Sequence, residues 1–156
     1  METNPDGHDS LSVIEASALR ILTLRDHSVL ELRRKLEHRF PNDGEGIGAV
    51  IERLTAQGYL DDHRCAIQLA EQLKRRGQGP LKIAQTLRQR GLEEMMSNDA
   101  DPVDEEDPLA TLRQTHTKRF GATPPVDARD RARRMRFLAA RGFTHEQIHR
   151  FFRDIA

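Results

Sequence analysis

Residues 83–92, IAQTLRQRGL, decide how this chain is read. Ile83 and Ala84 stand four and three residues before Leu87, the spacing of one helix face. Gly91 then supplies the residue type that most readily ends a helix. Two other stretches align with it without gaps: LRRKLEHRFP at 32–41 and RMRFLAARGF at 134–143. Leu36, Leu87 and Leu138 are 51 residues apart, and so are Arg39, Arg90 and Arg141. Gly91 pairs with Gly142, and Leu92 with Phe143. Upstream, LKRRG at 73–77 resembles TKRFG at 117–121, with the difference in loop length absorbed at 121–127. A period of this size marks a small supersecondary unit used repeatedly. The expectation is an all-α chain of three tandem three-helix units, winged-helix-like or helix-turn-helix-like, with about nine helices and an elongated outline. The units are placed at 13–60, 61–98 and 106–156. A disordered tail is expected at 1–12 and an acidic linker at 99–105. Each unit alone buries a small core, so packing between neighbours is part of the expectation.

Local signals agree with that division. SVLELRRKLEHRF opens with a capping box, Ser28 followed by Glu31, and Val29, Leu32, Leu36 and Phe40 form its apolar stripe. Ile47, Val50, Ile51 and Leu54 stripe the next helix, which ends at Gly58. Asp61 or Asp62 can cap a helix striped by Ala66, Leu69, Ala70 and Leu73. Pro80 suits a first helical position. Asp107 and Pro108 open a later helix through Leu109, Leu112 and Phe120. Ala128, Ala132, Met135, Leu138 and Ala139 stripe another, closed by Gly142.

Of 156 residues, 32% are charged and 37% hydrophobic, which favours thin helical layers over one large core. A single cysteine, Cys65, rules out an intrachain disulfide and a cysteine-based zinc site. Together with an acidic, polar start that is no signal peptide and the lack of a membrane-length apolar run, this leads to the expectation of a cytoplasmic protein. The net charge of zero conceals segregation. Residues 71–90 hold six Lys and Arg against one Glu, residues 91–108 hold eight Asp and Glu with no Lys or Arg, and residues 113–141 hold nine Lys and Arg against two Asp. The basic blocks read either as solvated helix faces or as contacts for a polyanion. Candidate contacts are Arg33, Arg34 and Lys35; Lys74, Arg75, Arg76 and Lys82; Arg88 and Arg90; and Arg131, Arg133, Arg134 and Arg136. Phe137, among these arginines and opposite the Met135–Leu138 stripe, either packs on an adjacent helix or makes a contact.

His145-Glu146-Gln147-Ile148-His149 spells H-E-x-x-H, a pattern that on a helix can bind zinc. Thr144 and Gln147 form a capping box around it, and Ile148, Phe151, Phe152 and Ile155 share its apolar face. The extended pattern needs Gly and His where this chain has Phe152 and Ile155, so no third ligand is indicated and no metal or cofactor is expected. Asp61 and Asp62 are adjacent and face different ways on a helix, which favours capping over paired-carboxylate chemistry.

GYLDDHRCA, KRRGQGPLKIAQTLRQRGL and RMRFLAARGFTHEQI together resemble the RecX family, regulators of the RecA recombinase. The matching positions are Gly58, Tyr59, Leu60, Asp61, Asp62 and Ala66; then Gly79, Ile83, Leu87 and Gly91; then Leu138 and Gly142. ALRILTLRDHSVLELRRKL matches the family's opening, so the resemblance spans about residues 14–155. It implies tandem three-helix modules in a chain that is not itself an enzyme. It also implies a partner, the RecA filament on single-stranded DNA, in whose helical groove the protein lies. There it would restrain strand exchange, ATP hydrolysis and co-protease activity. A monomer that binds duplex DNA weakly and without sequence preference fits this reading. The alternative is a helix-turn-helix regulator acting on duplex DNA.

Overall fold

The computed structural model describes residues 5–97 and 107–155. Its regular structure among these residues is entirely helical: α1 (Pro5–Leu22), α2 (Val29–Arg39), α3 (Gly44–Ala56), α4 (Asp62–Arg75), α5 (Pro80–Gln89), α6 (Glu93–Ser97), α7 (Ala110–Phe120), α8 (Ala128–Ala140) and α9 (His145–Asp154). The expected acidic linker, 99–105, lies outside the described residues, as do residues 1–4 of the expected tail. The rest of that expectation is corrected, because α1 begins at Pro5 and residues 5–12 are helical. Proline is well placed in a first helical turn. The helix is also anchored, since Ser10 donates to the Asp43 carboxylate and Ile14 is fully buried.

The backbone contacts divide the chain into two compact units. The first comprises Met1–Ala66 with Arg90–Met96. In it, α1, α2 and α3 enclose Ile14, Ala18, Leu32, Leu36, Ile47, Val50, Ile51, Leu54 and Leu60. The capping box of Ser28 and Glu31 is formed, and Asp43 caps α3. After α3 the chain turns, with Tyr59 and Leu60 N–H groups both donating to the Leu54 carbonyl at 2.9 and 3.3 Å. This turn buries Leu60 and leaves Tyr59 exposed. Asp61 then caps α4 by accepting from the Arg64 amide at 3.0 Å. Asp62 does something else: its carboxylate accepts from the Val29 amide at 2.8 Å, tying the start of α4 to the start of α2. Ala66 is fully buried, and Cys65 is buried with its thiol pushed up to about 11, first by desolvation and then by nearby carboxylates.

The second unit comprises Ile67–Gln89 with Ser97–Ala156. Leu109, Leu112, Leu138, Phe143, Ile148, Phe151 and Phe152 form its main core. Leu69, Leu73, Ile83 and Leu87 are also buried. Asp127 caps α8 through the Asp130 amide, and Thr144 and Gln147 close their capping box on α9. Some alanines expected on apolar stripes are exposed instead, namely Ala84, Ala128 and Ala139. An alanine methyl is too small to pull a helix face inward against larger neighbours.

Each unit contains a joint at the equivalent place in the repeat, made with different donors. In the first, the Ser28 hydroxyl, at the N-cap of α2, donates to the Arg90 carbonyl at 2.5 Å. Gly91 follows with φ 71°, and a Cβ there would lie 2.7 Å from the Leu30 side chain. In the second unit, 51 residues further on, the Gly79 amide donates to the Arg141 carbonyl at 2.8 Å and the Leu81 amide to the Gly142 carbonyl at 2.9 Å. Gly142 has φ 93°, and an added Cβ would come within 2.6 Å of the Lys82 nitrogen. The start of one middle helix thus caps the end of the next, satisfying helix-terminal carbonyls with helix-terminal donors. At the matching place in the first repeat Phe40 and Pro41 replace Gly-Leu, and Phe40 has φ −125°.

Candidate functional site

The basic candidates separate by environment. On α2, Arg34 and Lys35 are exposed and Arg33 is half-buried. Lys35 has a local task, as its ammonium donates to the buried His27 ring at 2.9 Å. His27 is held below its ordinary pKa by burial, reinforced by the charges of Arg25 and Lys35. At the end of α4, Lys74, Arg75 and Arg76 are exposed, with Arg75 3.6 Å from Glu71. Lys82 and Arg88 are exposed on α5. Arg90 is half-buried beside the joint, where its own carbonyl is the acceptor for Ser28.

On α8 the cluster splits. Arg133 and Arg136 are exposed, and Arg131 is half-buried with its guanidinium 5.3 Å from the Phe152 ring centre. Arg134 is buried, with 5% of its surface exposed, and is withdrawn from the contact set. It donates to Asp130 at 3.1 Å, to the Thr123 carbonyl at 2.7 Å and to the His116 ring at 3.3 Å. Its place in the repeat explains this: Arg134 aligns with Leu32 and Ile83, both buried. Asp130 sits between Arg133 and Arg134, whose hydrogen bonds bring its carboxyl down to about 2. Burial, and then the Arg134 charge, keep His116 below its ordinary value, so it remains a neutral acceptor.

Around Phe137 a second arrangement emerges. Phe137 packs edge-on against Phe120 of α7, with ring centres 5.2 Å apart. Arg119 lies 5.7 Å from the Phe120 ring and 6.0 Å from that of Phe137. Arg141 stands 5.1 Å over Phe137, and Arg133 5.4 Å over Phe120. The adjacent-helix alternative for Phe137 is therefore realised, yet the ring also serves as a platform for exposed guanidinium groups. Arg119 and Arg141 were not among the sequence candidates. For Arg141 the signal was the four-residue spacing of Arg133, Phe137 and Arg141 along α8 and its C-cap; Arg119, on α7, had no such spacing to mark it.

The histidines of the H-E-x-x-H stretch are both exposed, with ring nitrogens 2.9 Å apart. Among the described residues no three His, Cys, Asp or Glu side chains come together as metal ligands. No helix among them is long and apolar enough to cross a membrane.

The sequence models of RecX domains match this chain in order: the second three-helix domain over residues 61–100 and the third over 105–152. The chain is similar to the regulatory protein RecX of Acidithiobacillus ferrooxidans, 44% identical over 133 residues, covering 85% of this chain and 84% of that relative. The RecX of Halorhodospira halophila is 39% identical over 135 residues, 86% of this chain and 83% of the other. Among solved structures, RecX from Lactobacillus salivarius shares the fold with a TM-score of 0.72 at 19% identity, covering 95% of this chain and 97% of that one. With two three-helix domains matched in sequence and close relatives aligned over most of its length, the chain belongs to the RecX family of regulatory proteins.

Proposed function

We propose that the chain binds the RecA filament on single-stranded DNA, in its helical groove, and restrains strand exchange, ATP hydrolysis and co-protease activity without itself catalysing a reaction. The observation that supports this most is the joint that recurs at a 51-residue interval, Ser28 to Arg90 and Gly79 to Arg141. A contact that returns at the same place in successive repeats supports a chain of similar modules, each able to meet one step of a repeating lattice. The modules are read as 13–60, 61–98 and 106–156, with 99–105 as linker. Each offers exposed cations: Arg34 in the first, Arg75, Arg76, Lys82 and Arg88 in the second, Arg133 and Arg136 in the third. Modest contacts on one chain add through effective concentration, so a monomer can hold a filament firmly without any single strong site. Where those cations meet phosphate, affinity falls steeply with salt.

ATP hydrolysis by RecA on single-stranded DNA, followed as this protein is titrated in, tests the reading. A progressive fall near stoichiometric protein is expected. Unchanged hydrolysis at a several-fold excess, with no protein co-sedimenting with the filament, would reject it. Sequence-selective binding to duplex DNA by a dimer would favour the helix-turn-helix alternative instead.

A further inference from the structure

The third module presents three arginines on an aromatic pair. Arg119 and Arg141 make no ion pair among the described residues, and their guanidinium groups rest near the rings of Phe120 and Phe137. Arg133 joins them, sharing the Asp130 carboxylate at 2.8 Å. Arg133, Phe137 and Arg141 are spaced by four residues, a ridge of about 12 Å along α8 at 1.5 Å per residue. A guanidinium laid on a ring has lost much of its rotational freedom before any ligand arrives. Its edge N–H groups stay available for bidentate bonding to a phosphate, and its outer face can stack a base.

We propose that this face, formed by Arg119, Phe120, Arg133, Phe137 and Arg141, is where the chain grips single-stranded DNA. Phosphates bond the guanidinium edges and bases stack on the guanidinium planes. The inference rests on the reading above that the chain works at a single-stranded DNA filament, and assigns the DNA contact within it. A protein partner fits the surface less well. Protein interfaces centre on buried apolar anchors, whereas here the two rings are half-buried against each other and the cations lie outermost.

The test is fluorescence anisotropy of a labelled oligothymidylate titrated with the full-length chain over a range of salt. Two variants are compared with the parent, Arg119→Glu with Arg141→Glu, and Arg119→Lys with Arg141→Lys. The glutamate variant is expected to lose at least about tenfold in affinity. Its slope of log K against log salt should be shallower by about 1.4, two contacts at about 0.7 each for a single strand. The lysine variant keeps the charge and loses the plane, so it retains the salt slope while affinity falls several-fold. Circular dichroism checks that both variants stay helical, and if the glutamate variant melts early, the lysine variant decides. Parent-like affinity in either variant overturns the assignment. So does a glutamate variant that grips the oligonucleotide normally but no longer associates with recombinase. Because the titration contains no recombinase, an absent effect on RecA hydrolysis would sink the filament reading alone.

Discussion

Replacing Gly79 by alanine attacks the joint where it has least room. A Cβ at residue 79 would lie 2.5 Å from the Gly142 carbonyl carbon, 2.5 Å from the Phe143 nitrogen and 2.6 Å from the Gly142 oxygen. All three are backbone atoms, so no side chain can swing aside. Restoring ordinary contact near 3.5 Å requires an opening of about 1 Å. That would stretch the bonds from Gly79 to Arg141 and from Leu81 to Gly142, now 2.8 and 2.9 Å, beyond hydrogen-bonding range. Each bond contributes about 1 kcal/mol net. If the joint stays shut, overpacking strain of about 1–3 kcal/mol takes their place. Alanine also stiffens the unfolded chain, which returns about 0.4–1 kcal/mol. The net loss is about 1–1.6 kcal/mol if the joint opens and up to about 2.6 kcal/mol if it stays shut, or about 2–4 °C in melting temperature per kcal/mol for a chain of this size. Hydrogen exchange resolves the effect: the Leu81 amide should exchange faster while amides within α2 and α3 keep their protection. A melting temperature equal to or above the parent's, with Leu81 still protected, would refute the joint as described.

Other outcomes follow from the same contacts. Gly48 lies inside α3 with nothing within 4 Å of a built Cβ, so Gly48→Ala should raise stability by about 0.5–1 kcal/mol in denaturant titrations. Arg134→Met should lower the melting temperature clearly, because Asp130, His116 and Thr123 all lose a donor, while Arg136→Met should stay within about 0.5 kcal/mol of the parent. His27 and His116 are both held below the ordinary value of 6.5, chiefly by burial, so the folded state binds fewer protons than the unfolded chain below that value. Their contribution to stability is therefore complete above about pH 6.5 and declines as the pH falls through it, by at most about 1.4 kcal/mol per pH unit for each ring. Denaturant titrations at pH 7.5, 6.5 and 5.5 should show this decline, and His116→Gln should flatten it.

Much of the fold was legible because it is built from local rules. The Ser28 and Thr144 capping boxes, the glycines that close helices and the leucines at 36, 87 and 138 are each readable in a few consecutive residues, and all take the predicted roles. The joints were not readable: one sends the Ser28 hydroxyl, already legible as an N-cap, to a carbonyl 62 residues away, and the other is made by backbone donors and carbonyls that no side chain announces. Gly79 and Gly142 read only as helix breakers, although their absent side chains are what lets two turns meet. Arg134 was misplaced because charge suggested solvent. Its alignment with Leu32 and Ile83 carried the opposite message, and the nearby Asp130 made burial of the charge tolerable. Asp62 was legible as a cap, but not that it would serve α2 while Asp61 caps α4. At the tail, polarity argued for disorder, and the tie from Ser10 to Asp43 could not be seen from composition.

The most direct measurement is an electron-microscopic reconstruction of the RecA filament on single-stranded DNA with this protein added at saturating concentration. The account predicts continuous helical density lying in the filament groove, with the α7–α8 face of the third module turned toward the DNA strand. A groove as empty as in the filament alone, or density confined to the filament's outer surface away from the DNA, would contradict it.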